Sequence, residues 1–252
     1  MARRRFFVDE VHAQQAVLTG EEAQHLRQVL RAEHGQRYEL SDGNKVLLGE
    51  IVHLRKDTVI FRVVEEIPQE PDLLDLTLGT ALIKFDRFEL LVEKATELGV
   101  SRIVPFPAIR SERGLEKAVE KRRDRWQRIA LEAAKQCHRV APPDVGPLQR
   151  FEDLLKPDEG FCFLLDESGG QVLLDGLPVV GERKPGQRVT LLVGPEGGWD
   201  PRERESAQAA GFLSVSLGRR ILRTETAAAA AVSAIQLAWE QAAASPVETI
   251  AL

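Results

Sequence analysis

The spacing of apolar positions changes character near residue 70. Before it, they gather in short β-like runs at residues 6–8, 37–40, 45–52 and 58–64, separated by turn residues such as Ser41-Asp42-Gly43-Asn44. One helical segment, residues 21–31, interrupts the runs. This pattern predicts a small β-rich module. Residues 68–72 (Pro-Gln-Glu-Pro-Asp) are polar with two prolines and cannot join a central strand. They mark the boundary between a domain at 1–70 and a second at 71–252.

Beyond that boundary helix and strand signals alternate. Residues 76–82, 102–104, 161–165, 189–193 and 213–217 are short apolar strands. Residues 86–98 put Phe88, Leu91, Val92, Ala95 and Leu98 on one helical face before Gly99 stops the helix. A long helical stretch follows at 115–137. The last helix, 226–244, is alanine-rich, which gives high helix propensity and a thin profile that lets other backbones approach. Alternation of this kind predicts an α/β fold with a mostly parallel sheet covered on both faces. No internal repeat is visible, and residues 245–252 carry no signal.

Composition narrows the class without choosing the fold. The 252 residues are 43% hydrophobic and 29% charged, as in a folded chain and unlike a disordered or fibrous one. There is no apolar run of about 18 residues, and the basic N-terminus has no signal core after it, so a soluble cytoplasmic protein with no membrane contact is expected. Cys137 and Cys162 lack the spacing of a zinc site or a disulfide scaffold and read as two buried free thiols. His12, His25, His34 and His53 have no partner spacing and read as structural or surface groups. The net charge of −5 argues against a nucleic-acid partner until it is divided. Residues 84–139 carry 14 Lys/Arg against 9 Asp/Glu, whereas residues 140–252 carry 10 against 16. A basic surface on an acidic protein follows.

Two segments carry candidate chemistry. The first runs from the strand at 189–193 into Gly194-Pro195-Glu196-Gly197-Gly198-Trp199. Glycines directly after a parallel strand let the backbone turn sharply and approach a ligand, and open α/β sheets bind ligands at strand C-terminal ends. The spacing is neither a Walker loop nor a dinucleotide fingerprint. A plain tight turn is the bland alternative. The second is Leu217-Gly218-Arg219-Arg220-Ile221-Leu222-Arg223-Thr224-Glu225-Thr226, between a strand and the alanine-rich helix. Thr224 or Thr226 can cap that helix, with Glu225 near its positive end. Capping does not explain Leu217, Ile221 and Leu222, apolar side chains in a loop that need something to bury against; an adenine ring would serve. Trp199 and Trp239 read as core or interface residues.

The pairing of Gly-Pro-Glu-Gly-Gly with Leu-Gly-x-Arg-x-Leu-Arg-Thr-Glu-Thr closely resembles the RsmE family, SPOUT-superfamily methyltransferases of bacterial small-subunit ribosomal RNA. The resemblance extends to residues 93–100, Pro105, Arg110-Ser111, Gln136-Cys137, Arg139, residues 25–31, Gly35 and Asp42-Gly43, most of the chain. It departs at Arg219, where the family often has proline, and at His138, where glycine is common. It implies an N-terminal PUA-like β-barrel, a C-terminal SPOUT domain with a trefoil knot, and a homodimer. It also implies S-adenosylmethionine as cofactor, held by Leu165, Val193, Gly194, Pro195, Glu196, Gly197, Gly198, Leu217, Gly218, Ile221, Leu222, Arg223 and Thr226. The implied reaction is methylation of uridine N3 in 16S ribosomal RNA of the small subunit.

Displacement at a sulfonium releases a neutral leaving group, so no metal is needed and the enzyme's task is positioning. Uracil N3 carries a proton that must leave. Glu196 and Glu225 are candidate bases; Arg110, Arg139 and Arg223 are candidates to stabilise the uracil oxygens or grip phosphate. A surface ion pair is the alternative for each arginine, a helix-end charge for Glu225. Lys117, Lys121, Arg125, Arg128 and Lys135 recur at helical spacing opposite Val119, Trp126, Ile129, Ala130 and Ala133. A solvated face is the ordinary reading of that pattern; beside the two motifs, RNA contact by Arg3, Arg4, Arg5, Arg27, Arg31, Arg110, Lys117, Lys121, Arg125 and Arg139 is expected. Two further readings stay open, a non-catalytic ribosomal RNA-binding assembly factor and a SPOUT enzyme acting on transfer RNA or another base position.

Overall fold

The structure, a computed structural model, describes residues 4–8, 10–12, 14–156 and 159–244; Arg3 and the tail at 245–252 lie outside them. Two compact units divide the chain, Met1–Pro71 with Leu131–Pro142, and Asp72–Ala130 with Pro143–Leu252. The first unit thus takes in residues 131–142 as well as those before the expected boundary near residue 70.

In the first unit, β1 (Arg5–Phe7), β2 (Glu10–His12), β3 (Gln15–Thr19), β4 (Arg37–Ser41), β5 (Val46–Leu54) and β6 (Thr58–Ile67) form one sheet in the order β1-β4-β5-β6-β3-β2. All pairs are antiparallel except β1 with β4. Register shifts at Leu48/Gly49 and Ile51/His53 curl the two longest strands, because an extra residue on one strand bends it and increases its twist. Phe6, Leu18, Leu40, Ile51 and Phe61 fill the concave side, and α1 (Gly20–Gln28) lays Ala23 and Leu26 on them. The helix stops three residues before its expected end: Arg31 takes φ 51° and the Ala32 N–H returns to the Leu26 carbonyl at 3.1 Å. Beside the sheet, His138 has φ 59°, the left-handed region that favours glycine. Its Nδ1 lies 3.5 Å from the Glu39 carboxylate.

The second unit has seven strands, β7 (Leu74–Ala81), β8 (Arg102–Phe106), β9 (Asp144–Val145), β10 (Phe161–Leu165), β11 (Gln171–Val172), β12 (Gln187–Val193) and β13 (Leu213–Ser216). Their order is β11-β13-β10-β12-β7-β8-β9 and every pair is parallel. Side chains alternate between two apolar layers, as a period of two requires. Leu76, Leu78, Val189, Leu191, Phe163 and Leu165 face one layer, whereas Ala81, Leu192 and Leu164 face the other. The first layer is covered by α2 (Phe85–Glu97), α3 (Val119–Gln136) and α7 (Thr224–Ala244); the second by the short α4 (Phe151–Leu154) and by α6 (Pro201–Ala209). One more turn, α5 (Leu173–Gly176), follows β11.

The amphipathic expectation for α2 matches the buried set Phe88, Leu91, Val92 and Ala95. Helix α7 buries Ala228, Ala231, Val232, Ile235 and Trp239, and Gln236 donates to the Gly99 carbonyl at 3.2 Å, a close approach that alanine permits. The stretch expected to be helical from 115 opens as a 3-10 turn, Leu115–Ala118, after Gly114. Both cysteines are free, but half-buried rather than buried: Cys137 sits at the end of α3 and Cys162 near the start of β10, where partial burial pushes its thiol pKa up. Among the described residues no helix is long and apolar enough to cross a membrane.

Helix α6 is held at its start by reciprocal caps: the Asp200 carboxylate accepts from the Arg202 N–H at 3.2 Å, and Glu203 accepts from the Asp200 N–H at 3.0 Å. Asp200→Ala removes half of that box and is expected to lower stability. Urea melts should show a lower midpoint with an unchanged slope.

Candidate active site

Strands β10, β12 and β13 run in register, with Leu165 beside both Val193 and Val215. Their C-terminal ends therefore stop at one edge of the sheet, and the residues that follow leave it together. A cavity of about 230 Å³ lies there. Leu165, Val193, Gly194, Pro195, Glu196 and Gly197 line it from the first two strands; Leu217, Gly218, Ile221 and Leu222 line it from the third. Gly198, Arg223 and Thr226, named with them from the sequence, are not part of this lining. Asp166, Glu167, Arg220, Thr224 and Ala227 are, and the sequence reading did not name them as ligand contacts. The first two directly follow an apolar strand, so the rule that parallel sheets bind at strand C-termini would have found them.

The loop after β12 is shaped by a tryptophan. Trp199 is fully buried, and its indole N–H donates to the Leu165 carbonyl at 2.7 Å. It stacks on Phe106 with ring centres 6.0 Å apart and planes 9° from parallel. A Cβ added to Gly194 would fall 2.9 Å from the Trp199 ring, and one on Gly197 3.2 Å from Arg110 Cβ. The glycines thus serve first to let the protein's own side chains close on the loop, a role the ligand-approach argument did not anticipate. The two sequence motifs also touch: the Thr224 hydroxyl donates to the Gly194 carbonyl at 3.2 Å.

Charge around the cavity is largely compensated. Asp166 is 4% exposed; burial opposes its charge, but hydrogen bonds from Arg204 (2.6 Å) and from the Ser168 N–H and hydroxyl outweigh it and hold its carboxyl below the ordinary value. Glu196 pairs with Arg87, at the start of α2. Arg110 donates to the Gly197 carbonyl at 3.3 Å and reaches Asp200 at 3.9 Å. Glu225 is 8% exposed in the first turn of α7, off the cavity lining, and its Oε2 has no hydrogen-bond partner among the described residues. Arg223 is exposed and its carbonyl accepts from the Ala227 N–H at 2.8 Å, which opens α7. Ile221 is 86% exposed, an apolar side chain at the rim with nothing covering it.

The expected RNA contacts among the described residues differ in exposure. Arg4, Arg31, Arg110, Lys117, Lys121 and Arg125 are exposed, although Arg125 is bound to Glu89 at 2.6 Å. Arg27 and Arg139 are half-buried. Arg5 is 5% exposed, and its guanidinium is taken by Glu39, Gln69 and the His138 carbonyl. It braces the first unit and has no free donor face for RNA. Lys135 is likewise engaged, with Glu22 and Glu132, both at 2.7 Å. The larger cavity of the first unit, about 700 Å³, is lined by Arg5, Glu22, Glu132 and Lys135 from these pairs together with Arg4, His25 and His138. Arg5, Lys135, Glu22 and Glu132 in it are already paired within the protein.

Residues 69–236 match the RNA methyltransferase domain family. The ribosomal RNA small subunit methyltransferase E of Bacillus subtilis is 34% identical over 231 residues, covering 88% of this chain and 90% of the relative. The chain belongs to the RsmE family. Its counterpart from Aquifex aeolicus is 30% identical, with 90% of this chain and 96% of the relative covered. Among solved structures, an RsmE-family enzyme from Neisseria gonorrhoeae, crystallised bound to S-adenosyl methionine, superposes with a TM-score of 0.82 at 31% identity over 94% of this chain and 98% of that one. RsmE-family membership accounts for both motifs at once, which a tight turn and a helix cap do separately.

Arg204→Ala leaves Asp166 buried without its partner and should cost about 2–3 kcal/mol in urea melts. Asp166→Asn tests the linkage sign. The folded carboxyl titrates below its ordinary 3.8, so its contribution is complete above that value and is lost as pH falls through the lowered one. The stability margin of the unaltered chain over Asp166→Asn should be flat from about pH 7 to about pH 5 and shrink below about pH 4.

Proposed function

We propose that this chain transfers the methyl group of S-adenosylmethionine to N3 of a specific uridine in bacterial 16S ribosomal RNA. The observation that carries the reading is the meeting of residues 194–197 and 217–222 in one cavity, tied by the Thr224 hydroxyl. When bound, the cofactor supplies an electrophilic methyl on a sulfonium, and the protein's contribution is to position it. Leu165, Val193, Leu217, Ile221 and Leu222 offer apolar walls for the adenine ring. The backbone of Gly194, Pro195, Glu196, Gly197 and Gly218 supplies polar groups at the turn, with Gly198, Arg223 and Thr226 completing the loop and the helix start.

The substrate uracil must lose its N3 proton. Glu196 lies on the cavity wall and Glu225 does not, which favours Glu196 as the acceptor; Arg110 and Arg223 are the cations for the uracil oxygens or the adjoining phosphate. Further from the site, Arg3, Arg4, Arg27, Arg31, Lys117, Lys121, Arg125 and Arg139 are proposed to meet the RNA backbone, with Arg5 acting through structure. A structured RNA read by shape and a splayed base suits a separate binding module. We assign that role to a PUA-like barrel at 1–70, its curled and bulged sheet being the supporting feature. For 71–252 we propose the SPOUT domain with its trefoil knot, supported by β13 seating between β10 and β11 after the chain has completed β12. A homodimer through this domain is supported by Leu237 of α7, 67% exposed, and Leu90 of α2, 44% exposed. The cytoplasm, where small subunits are assembled, is the proposed location.

Incubation with methyl-labelled cofactor and small subunits lacking the modification, followed by mass spectrometry of the nucleosides, should give N3-methyluridine at one position. No label in the RNA, or label at another base or in transfer RNA, would sink the assignment. Gly197→Val, which pushes a branched side chain against Arg110, should lower the rate by about a hundredfold, the scale of an ångström-sized displacement. Light scattering at micromolar concentration should show a dimer.

A further inference from the structure

Four charged side chains line the strand-end cavity: Asp166, Glu167, Glu196 and Arg220. Asp166 is satisfied by Arg204 and Ser168, and Glu196 by Arg87. Arg220 carries only donors. Glu167 alone is an acceptor with no hydrogen bond or ion pair to any described residue, and its charge is felt only at a distance by Arg204. Its carboxylate tip lies directly over Gly198, the third glycine of the loop, whose φ of +68° itself calls for glycine.

We infer that Glu167 is a specificity-determining residue of the cofactor site, its carboxylate accepting hydrogen bonds from the hydroxyl or ammonium donors of S-adenosylmethionine. The inference rests on the methyl-donor reading above. A carboxylate at the end of a central strand, beside apolar walls, is suited to a ligand that is apolar at one end and rich in donors at the other. The neighbouring acids are already engaged, Asp166 through both oxygens by Arg204 and Ser168, and Glu196 through one oxygen by Arg87. Ribose diol and α-ammonium present the same chemistry to Glu167, and a ligand lacking the amino acid separates them.

Calorimetric titration of the full chain with S-adenosylmethionine, S-adenosylhomocysteine and methylthioadenosine tests this. Glu167→Gln should bind the first two about tenfold more weakly, the scale of one charge-assisted hydrogen bond. The melting temperature of the ligand-free protein should not move, since the side chain is exposed and unpaired. A matching loss for methylthioadenosine assigns the contact to the ribose hydroxyls; undiminished binding of that ligand assigns it to the ammonium. Binding of all three within twofold of the unaltered chain by both Glu167→Gln and Glu167→Ala would overturn the inference while leaving the methyl-donor reading intact. So would a loss accompanied by a lower ligand-free melting temperature, which marks a structural role. Absence of binding by the unaltered chain would remove that reading and the inference with it.

Discussion

Three chain segments distant in sequence are fastened at one buried indole. Trp199 donates to the last carbonyl of β10 and packs against Gly194 at the end of β12, and Thr224 at the start of α7 donates to that same Gly194. A tryptophan buries some 150–250 Å² and carries one polar atom that needs a partner. Here the apolar part fills the layer between Phe106 and Phe151, and the polar atom caps a strand end whose carbonyl has left the sheet ladder. Leu165, Gly194 and Thr224 each line the cavity. The geometry of the site is thus set by core packing beneath it, and precise placement is what a displacement reaction asks of its enzyme.

Charge placement answers a second demand. A protein of net charge −5 that acts on a polyanion gains from covering the carboxylates near its site, and of the three that line the cavity only Glu167 has no cation paired with it. Asp166 and Glu196 both stand at the cavity, and each is covered by an arginine from a helix of the same unit, Arg204 of α6 and Arg87 of α2. Arg110 further balances Asp200 while touching the loop. The acidic C-terminal half is therefore less repulsive near the site than its residue count suggests. In Arg5 and Lys135 the same device is used for structure: basic residues that look available in the sequence are spent on internal carboxylates.

Much of this was legible before any coordinates. Strand ends, the amphipathic α2 and the alanine-rich α7 follow from periodicity, and the two loop motifs, which meet at one cavity, were specific enough to give the family. What escaped has physical reasons. Helix α6 is polar except at a few alanines, so periodicity is silent, although Asp200-Pro201-Arg202-Glu203 spells a helix start. Strand β2 is three residues long, too short to show alternation. The burial of Arg5 depends on Glu39 and His138, partners 34 and 133 residues away, and no local window contains them. The same non-locality hides the allegiance of residues 131–142 to the first unit. Gly194 and Gly197 were read as places for close approach by a ligand, and the structure shows Trp199 and Arg110 approaching them.

The two sides of the cavity are built to different standards. Leu165 and Val193 belong to the core, 7% and 3% exposed, and cannot move without disturbing the sheet. Across from them Ile221 is 86% and Leu222 36% exposed, so the loop forgoes much of the roughly 2 kcal/mol that burying each side chain would give. A loop with that little apolar anchorage belongs to the low-stability end of a structure. Covering its leucine and isoleucine with a flat apolar ring would recover part of the forgone energy and order the loop in the same step. Binding energy is thereby available to a ligand in the cavity, while the strand ends opposite keep their positions. A rigid wall and an unfinished one make a site that is pre-set in geometry yet completed by what it binds.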